Sequence, residues 1–190
     1  MPDHGCDTGS ASGPGPGRRQ GIVLIGLRRS GKSTVGRLLA RTLHLPFVDL
    51  DERCSALAGR PVAEVLREEG EAAFRALELR ALAALDAPSA VLACGGGTPL
   101  APGARELLVA HGPLIYLRAS PEELKVRAAA DQRPGDRPLL AGSDALSEVE
   151  VLYARRDPIY RDLATHVVPA DGDPEAVLRC CLQRLELSAD

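Results

Sequence analysis

Short blocks of consecutive apolar residues alternate along this chain with longer segments in which apolar positions recur every three or four residues. Ile22-Val23-Leu24-Ile25 is the first block and predicts a short buried strand. The segment 34–45 follows with Val35, Leu38, Leu39 and Leu43 on one stripe, which predicts a helix with one face on a core. Leu45-Pro46-Phe47-Val48 then leads into Asp49-Leu50-Asp51, predicting a second strand whose C-terminal end carries two carboxylates. Residues 52–58 predict a short helix closed by Gly59. Pro61 opens a longer helical region broken at Gly70, whose second part carries Phe74, Leu77, Ala81, Leu82 and Leu85 at helical spacing.

The second half repeats the alternation. Val91-Leu92-Ala93-Cys94 predicts a third strand and Leu114-Ile115-Tyr116-Leu117 a fourth, with a helix over 102–111 between them. Ser120 and Pro121 read as the cap and first turn of the next helix. A further helix runs from 144 to 160, Thr165-His166-Val167-Val168 makes a fifth strand, and 174–187 a final helix. Five short apolar strands alternating with helices define an α/β three-layer sandwich, a parallel sheet covered on both faces. Residues 1–20, rich in Gly, Pro and Ser, have almost nothing to bury and are expected to form a disordered tail, leaving 21–190 as one domain.

Candidate chemistry sits where strands end. Gly26-Leu27-Arg28-Arg29-Ser30-Gly31-Lys32-Ser33 satisfies the phosphate-loop pattern G-x-x-x-x-G-K-[ST] between a predicted strand and a predicted helix. Such a loop wraps backbone N–H groups around an oxyanion at a helix N-terminus, with Lys32 for the outer phosphates and the Ser33 hydroxyl for Mg²⁺. Arg29, Ser30, Gly31, Lys32, Ser33 and Thr34 are therefore the candidate nucleotide-binding residues. In an open α/β sheet, ligands bind beyond the carboxyl ends of the strands, so Asp49 and Asp51 are expected in the same crevice. Either acid could alternatively cap the helix beginning near Glu52.

Two other segments bear on a ligand. Glu71, Arg75 and Glu78 stand four and three residues apart, so both acids can hold the Arg75 guanidinium in one orientation or form an ordinary surface ion pair. Gly95-Gly96-Gly97 after the third strand permits close approach to a ligand and offers unblocked N–H donors. The polar segment 131–142, with Arg133 and Arg137 among prolines and glycines, suits a lid over anionic phosphates or a solvated connection.

Composition narrows the function. A net charge of −3 and 3% aromatic residues argue against a nucleic-acid groove with stacking platforms. The five cysteines contain no C-x-x-C pair, which argues against a metal-thiolate site or disulfide framework. No apolar run reaches the roughly eighteen residues of a membrane span, so a cytoplasmic enzyme with no membrane partner is expected. A phosphate loop with carboxylates and arginines suits transfer of a γ-phosphoryl group to a small anionic acceptor.

Taken in order, these motifs resemble the shikimate kinase family, of the nucleoside monophosphate kinase-like P-loop fold. The resemblance rests on residues 26–34, Asp49-Leu50-Asp51, residues 70–78, Gly95-Gly96-Gly97, Arg137-Pro138-Leu139-Leu140 and Arg156-Asp157-Pro158-Ile159-Tyr160. It implies a monomeric kinase using ATP and Mg²⁺ to phosphorylate the 3-hydroxyl of shikimate, in chorismate and aromatic amino acid biosynthesis. Lys32 would hold the β and γ phosphates, and Ser33 would coordinate the metal with outer-shell help from Asp49. Asp51 would position or deprotonate the attacked hydroxyl, and Arg75 and Arg156 would clamp the carboxylate. Glu78 would hold Arg75, Gly96 and Gly97 would give N–H donors, and Arg137 would neutralise the transferring phosphate. Arg127 and Arg133 are the candidates for the adenine side. A kinase of another polyol acid such as gluconate, and a non-catalytic nucleotide-binding module, are the competing expectations.

The chain departs from the family pattern at Arg29, where these kinases commonly have Gly. A positive φ there would strain the backbone by ~1–2 kcal/mol.

Overall fold

A computed structural model describes residues 21–87, 89–130 and 145–186. The expected tail at 1–20 and the expected lid at 131–142, including Arg133 and Arg137, lie outside the described residues.

Among the described residues five strands are present, β1 (Ile22–Ile25), β2 (Phe47–Asp49), β3 (Val91–Ala93), β4 (Leu114–Arg118) and β5 (His166–Pro169). They form one sheet of order β2-β3-β1-β4-β5, and every neighbouring pair is parallel. β1, β3 and β4 are buried at nearly every position because both faces of the sheet are covered, which is why these strands read as unbroken apolar runs.

Among the described residues six α-helices connect the strands and a seventh follows β5: α1 (Lys32–Leu43), α2 (Leu50–Ala58), α3 (Val62–Ala83), α4 (Ala104–His111), α5 (Pro121–Ala130), α6 (Ala145–Leu163) and α7 (Pro174–Glu186). The crossover from β1 to β2 runs one way across the sheet, and those to β3, β4 and β5 run back. Right-handed crossovers therefore put α1 on one face and α2 to α6 on the other. Packing agrees, since α7 lies against α1 and α3 lies against α2 and α4. Val35 and Leu39 of α1, Leu77 and Ala81 of α3, and Leu108 of α4 join the strand residues in one buried apolar core.

Three local boundaries differ from the sequence pattern. α1 begins at Lys32 and ends at Leu43, where His44 turns left-handed with φ 55°. β2 stops at Asp49, which caps α2 by accepting a hydrogen bond from the Asp51 N–H. Asp51 is therefore in the first turn of α2 and not on a strand, because the cap turns the chain before a second alternation can complete. α4 begins at Ala104, preceded by a 3₁₀ turn at Thr98–Leu100 that follows the three glycines. Gly70, with φ 83° and ψ 177°, breaks α3 into two segments as its sequence position predicts.

Candidate active site

The site lies at the carboxyl ends of β1, β2 and β3, where the crossovers leaving neighbouring strands β1 and β3 run in opposite directions across the sheet. A cleft of about 680 Å³ is lined by the phosphate loop, Asp49, Asp51, Cys94, Gly95 and Gly96, and it extends past Arg127 to the β5–α7 turn. Arg29, Ser30, Gly31, Lys32, Ser33 and Thr34 all line it.

The phosphate loop is built by its glycines. Gly26 has φ 148°, and a Cβ there would lie 2.7 Å from the Leu117 carbonyl oxygen and 2.8 Å from Ser30 Oγ. Gly31 caps α1 with φ 94°. Between them Arg29 sits left-handed at φ 64°, so the strain anticipated from the sequence is present. Nη1 of Arg127 donates to the Arg29 carbonyl at 3.0 Å, Nη2 donates to the Ala170 carbonyl at 2.8 Å, and Nε pairs with Glu123. Arg127 thereby ties the apex of the loop to α5 and to the end of β5.

Lys32 is nearly buried and folds back along its own loop. Its Nζ donates to the carbonyls of Gly26 at 2.9 Å and Leu27 at 2.6 Å. Burial lowers its pKa to about 8, against the attraction of Asp51 and Asp49. The ammonium is therefore poorly solvated before any phosphate arrives.

Ser33 Oγ donates to Asp49 Oδ2 at 2.7 Å while the other oxygen of Asp49 caps α2. One carboxylate thus joins the two helix N-termini that flank the cleft. The hydroxyl and carboxylate are hard oxygen donors, fitting a Mg²⁺ that takes one or two protein ligands and fills its octahedron with phosphate and water.

Beside the cleft a second cluster is organised around the glycine triplet, of which Gly95 and Gly96 line the cleft. Nη1 of Arg75 pairs with Glu78 and Nη2 with Glu71 at 2.9 Å, so both acids hold the guanidinium. Glu78 is fully buried and also accepts from Thr98 Oγ1. Burial pushes the Glu78 carboxyl above its ordinary range, opposed by the bonds from Thr98 and Arg75. A Cβ on Gly95 would lie 2.8 Å from Glu78 Oε1 and 3.1 Å from Asp51 Oδ1; on Gly97 it would lie 2.1 Å from Arg75 Nη2. The Gly96 carbonyl accepts from Arg156 Nη1 at 3.1 Å and from the Tyr160 hydroxyl. None of the three glycines has a positive φ. At Gly95 and Gly97 the lack of a side chain is required by how closely Glu78, Asp51 and Arg75 approach.

The structure therefore gathers Asp51, Arg75 and Arg156 around Gly95, Gly96 and Gly97, and of these Asp51, Gly95 and Gly96 line the cleft together with residues 29–34 and Asp49; Arg137 lies outside the described residues. Sequence reasoning did not single out Thr98 or Tyr160 individually. Thr98 follows the glycines it supports and Tyr160 stands four residues after Arg156, so only a contact map would have separated them from ordinary core.

A parallel β2-β3-β1-β4-β5 sheet with a phosphate loop after β1, and a carboxylate and two arginines across the cleft, defines a nucleoside monophosphate kinase-like P-loop phosphotransferase. The chain belongs to the shikimate kinase family, whose model matches residues 28–186. It is 43% identical over 169 residues to a shikimate kinase 2 of Enterobacter sp. (strain 638), an alignment covering 89% of this chain and 97% of that one. A shikimate kinase of Cupriavidus pinatubonensis is 40% identical over 172 residues, 90% of this chain and 88% of the relative. Among solved structures, a shikimate kinase of Acinetobacter baumannii in complex with shikimate superposes with a TM-score of 0.81 at 32% identity, covering 90% of this chain and 94% of that chain. The enzyme is thus an ATP-dependent kinase.

Proposed function

We propose that the protein transfers the γ-phosphoryl group of ATP to the 3-hydroxyl of shikimate, giving shikimate 3-phosphate and ADP for chorismate and aromatic amino acid biosynthesis. Family membership supports the reaction, as does the likeness to the Acinetobacter baumannii enzyme in complex with shikimate. One observation carries the acceptor site: Arg75 and Arg156 approach consecutive glycines of the triplet, and Asp51 approaches the glycine before them. Two guanidinium forks suit a carboxylate, and the nearby carboxylate suits the acceptor's hydroxyls.

In this reading the shikimate carboxylate binds Arg75 and Arg156, with Glu78 and Glu71 holding Arg75 in place. Backbone N–H groups of Gly96 and Gly97 would complete the acceptor cradle. Asp51 accepts a hydrogen bond from the 3-hydroxyl and aims its oxygen at the γ-phosphorus. The new O–P bond forms as the bond to the β-phosphate oxygen breaks, and the hydroxyl proton passes to Asp51 or to water. A loose transition state needs little basicity from Asp51, so its positioning role comes first.

Residues 29–34 would cradle the phosphates, with Lys32 leaving the Gly26 and Leu27 carbonyls to follow charge from the γ-phosphate to the leaving oxygen. Ser33, with Asp49 behind it, would hold Mg²⁺. When bound, that ion neutralises the β and γ oxygens and fixes their orientation. Arg137 would add positive charge at the transferring group. Arg127 faces the nucleotide end of the cleft. The enzyme would work as a cytoplasmic monomer; among the described residues no helix is long and apolar enough to cross a membrane.

A coupled ADP-release assay tests the reading. ADP release with shikimate, ATP and Mg²⁺, absent with gluconate, is the expected result; no turnover by folded protein overturns it. Arg75→Ala and Arg156→Ala should each lower kcat/KM for shikimate by roughly 10²-fold while ADP affinity stays within about twofold.

A further inference from the structure

We propose that Asp157 is a positioning residue for the acceptor site, clamping α6 onto β4 so that Arg156 is delivered to the glycine triplet. The inference rests on Arg156 binding the acceptor, as proposed above.

Residue spacing in α6 puts Arg156 and Tyr160 on one face and Asp157 and Arg161 on the face about 100° further round. The first pair converges on the carbonyl of Gly96. The second face meets β4. Asp157 Oδ1 accepts from the Tyr116 hydroxyl at 2.9 Å and from Arg118 Nε at 2.9 Å, and Oδ2 accepts from Arg161 Nε at 2.7 Å. Arg118 also lies 5.7 Å over the ring of Tyr153, one turn before Asp157, and the rings of Tyr116 and Tyr160 pack 5.1 Å apart. One carboxylate thus joins two side chains of β4 to the helix that carries Arg156.

The local backbone makes such a clamp necessary. Pro158 lies inside α6 directly after Asp157. It has no N–H to continue the helical ladder and its ring crowds the preceding turn, so the turn that carries Arg156 lacks one backbone hydrogen bond of its own. Side chains lie ~5–6 Å from a helix axis, so a rotation of ~10° moves the guanidinium by about 1 Å. A displacement of that size lengthens a charge-assisted contact of the guanidinium to the acceptor's carboxylate beyond its ~2.7–2.9 Å optimum and so weakens acceptor binding. The carboxylate is held ionised: burial alone would raise its pKa, but hydrogen bonds from Arg118, Arg161 and Tyr116 outweigh that and keep it below the usual range.

The test is a double-mutant cycle read in kcat/KM for shikimate at saturating ATP and in kcat/KM for ATP at saturating shikimate. Asp157→Ala should lower the shikimate value about tenfold and leave the ATP value within about twofold. In an Arg156→Ala background the same substitution should change the shikimate value by less than about twofold, because its route of action is already gone. Asp157→Asn, which keeps an oxygen for Tyr116 and Arg118, should recover most of the loss. Should Asp157→Ala not fold, Arg118→Ala removes one donor to the clamp and should show a smaller loss with the same selectivity. Equal losses in both backgrounds, or shikimate and ATP values falling together, overturn the proposal. An Arg156→Ala enzyme with unchanged kcat/KM for shikimate removes the acceptor role of Arg156 itself, a failure of the underlying site reading that the cycle separates from a failure of the clamp.

Discussion

A methyl group on Gly97 would stand 2.1 Å from Nη2 of Arg75, whose guanidinium is pinned by Glu71 and Glu78. The two cannot share that space, and Arg75 is the more movable. Gly97→Ala is therefore expected to displace the guanidinium, lowering kcat/KM for shikimate by roughly 10–10²-fold with ADP affinity within about twofold. Steady-state kinetics and calorimetric ADP titration check both halves.

Arg29, at φ 64°, bears ~1–2 kcal/mol of left-handed strain. Replacement by glycine removes that strain but loosens the unfolded chain by ~0.4–1 kcal/mol. Arg29→Gly should therefore raise stability by about 0–1.6 kcal/mol, a rise in Tm of up to ~3–6 °C for a domain of this size. Arg29→Ala keeps the strain and should not show the gain. Thermal melts of the three proteins decide it.

Lys32 has a pKa lowered to about 8 by burial, and phosphates bind its protonated form. ADP affinity should be flat below pH 8 and fall by up to ~tenfold per pH unit above it, with proton uptake on binding between pH 8 and 9. The same depressed pKa has an opposite effect on folding. Between about 8 and the unfolded value near 10.5 the unfolded chain binds more protons, so this residue's contribution to stability improves as pH rises. Titration calorimetry in buffers of different ionisation enthalpy reads the proton uptake directly.

Ser33 Oγ and Asp49 Oδ2, 2.7 Å apart, supply the proposed metal position. Ser33→Ala should raise the Mg²⁺ concentration for half-maximal rate by roughly tenfold and leave metal-free ADP binding within about twofold. An unchanged Mg²⁺ dependence would remove Ser33 from the metal site. EDTA should abolish turnover in both proteins.

The strands and the phosphate loop were legible because their signals are local. Ile22–Ile25 is buried on both sheet faces and so is apolar throughout, and the glycines at 26 and 31 answer to positive φ values that only their own positions demand. The break in α3 was legible at Gly70 for the same reason. Asp51 lies in α2 and not on the strand that alternation suggests: of the two readings the sequence leaves open for Asp49, the structure takes the helix cap, a choice that alternation over three residues does not decide. The glycine triplet reads in sequence as a place of close approach with free backbone donors, but that Arg75, Glu78 and Asp51 crowd it from two other helices is not legible there.

The sequence by itself determined the alternating α/β plan, the phosphate loop with Lys32 and Ser33, the pairing of Arg75 with Glu71 and Glu78, and the family, because periodicity, turn chemistry and i,i+4 spacing are properties of neighbouring residues. Tertiary structure alone decided the sheet order, the burial that lowers the Lys32 pKa, the tie from Arg127 to the Arg29 carbonyl, and the meeting of Arg156 and Tyr160 at Gly96. Each of these joins groups far apart in the chain or depends on exclusion of water, and no local pattern encodes which distant surface a side chain will meet.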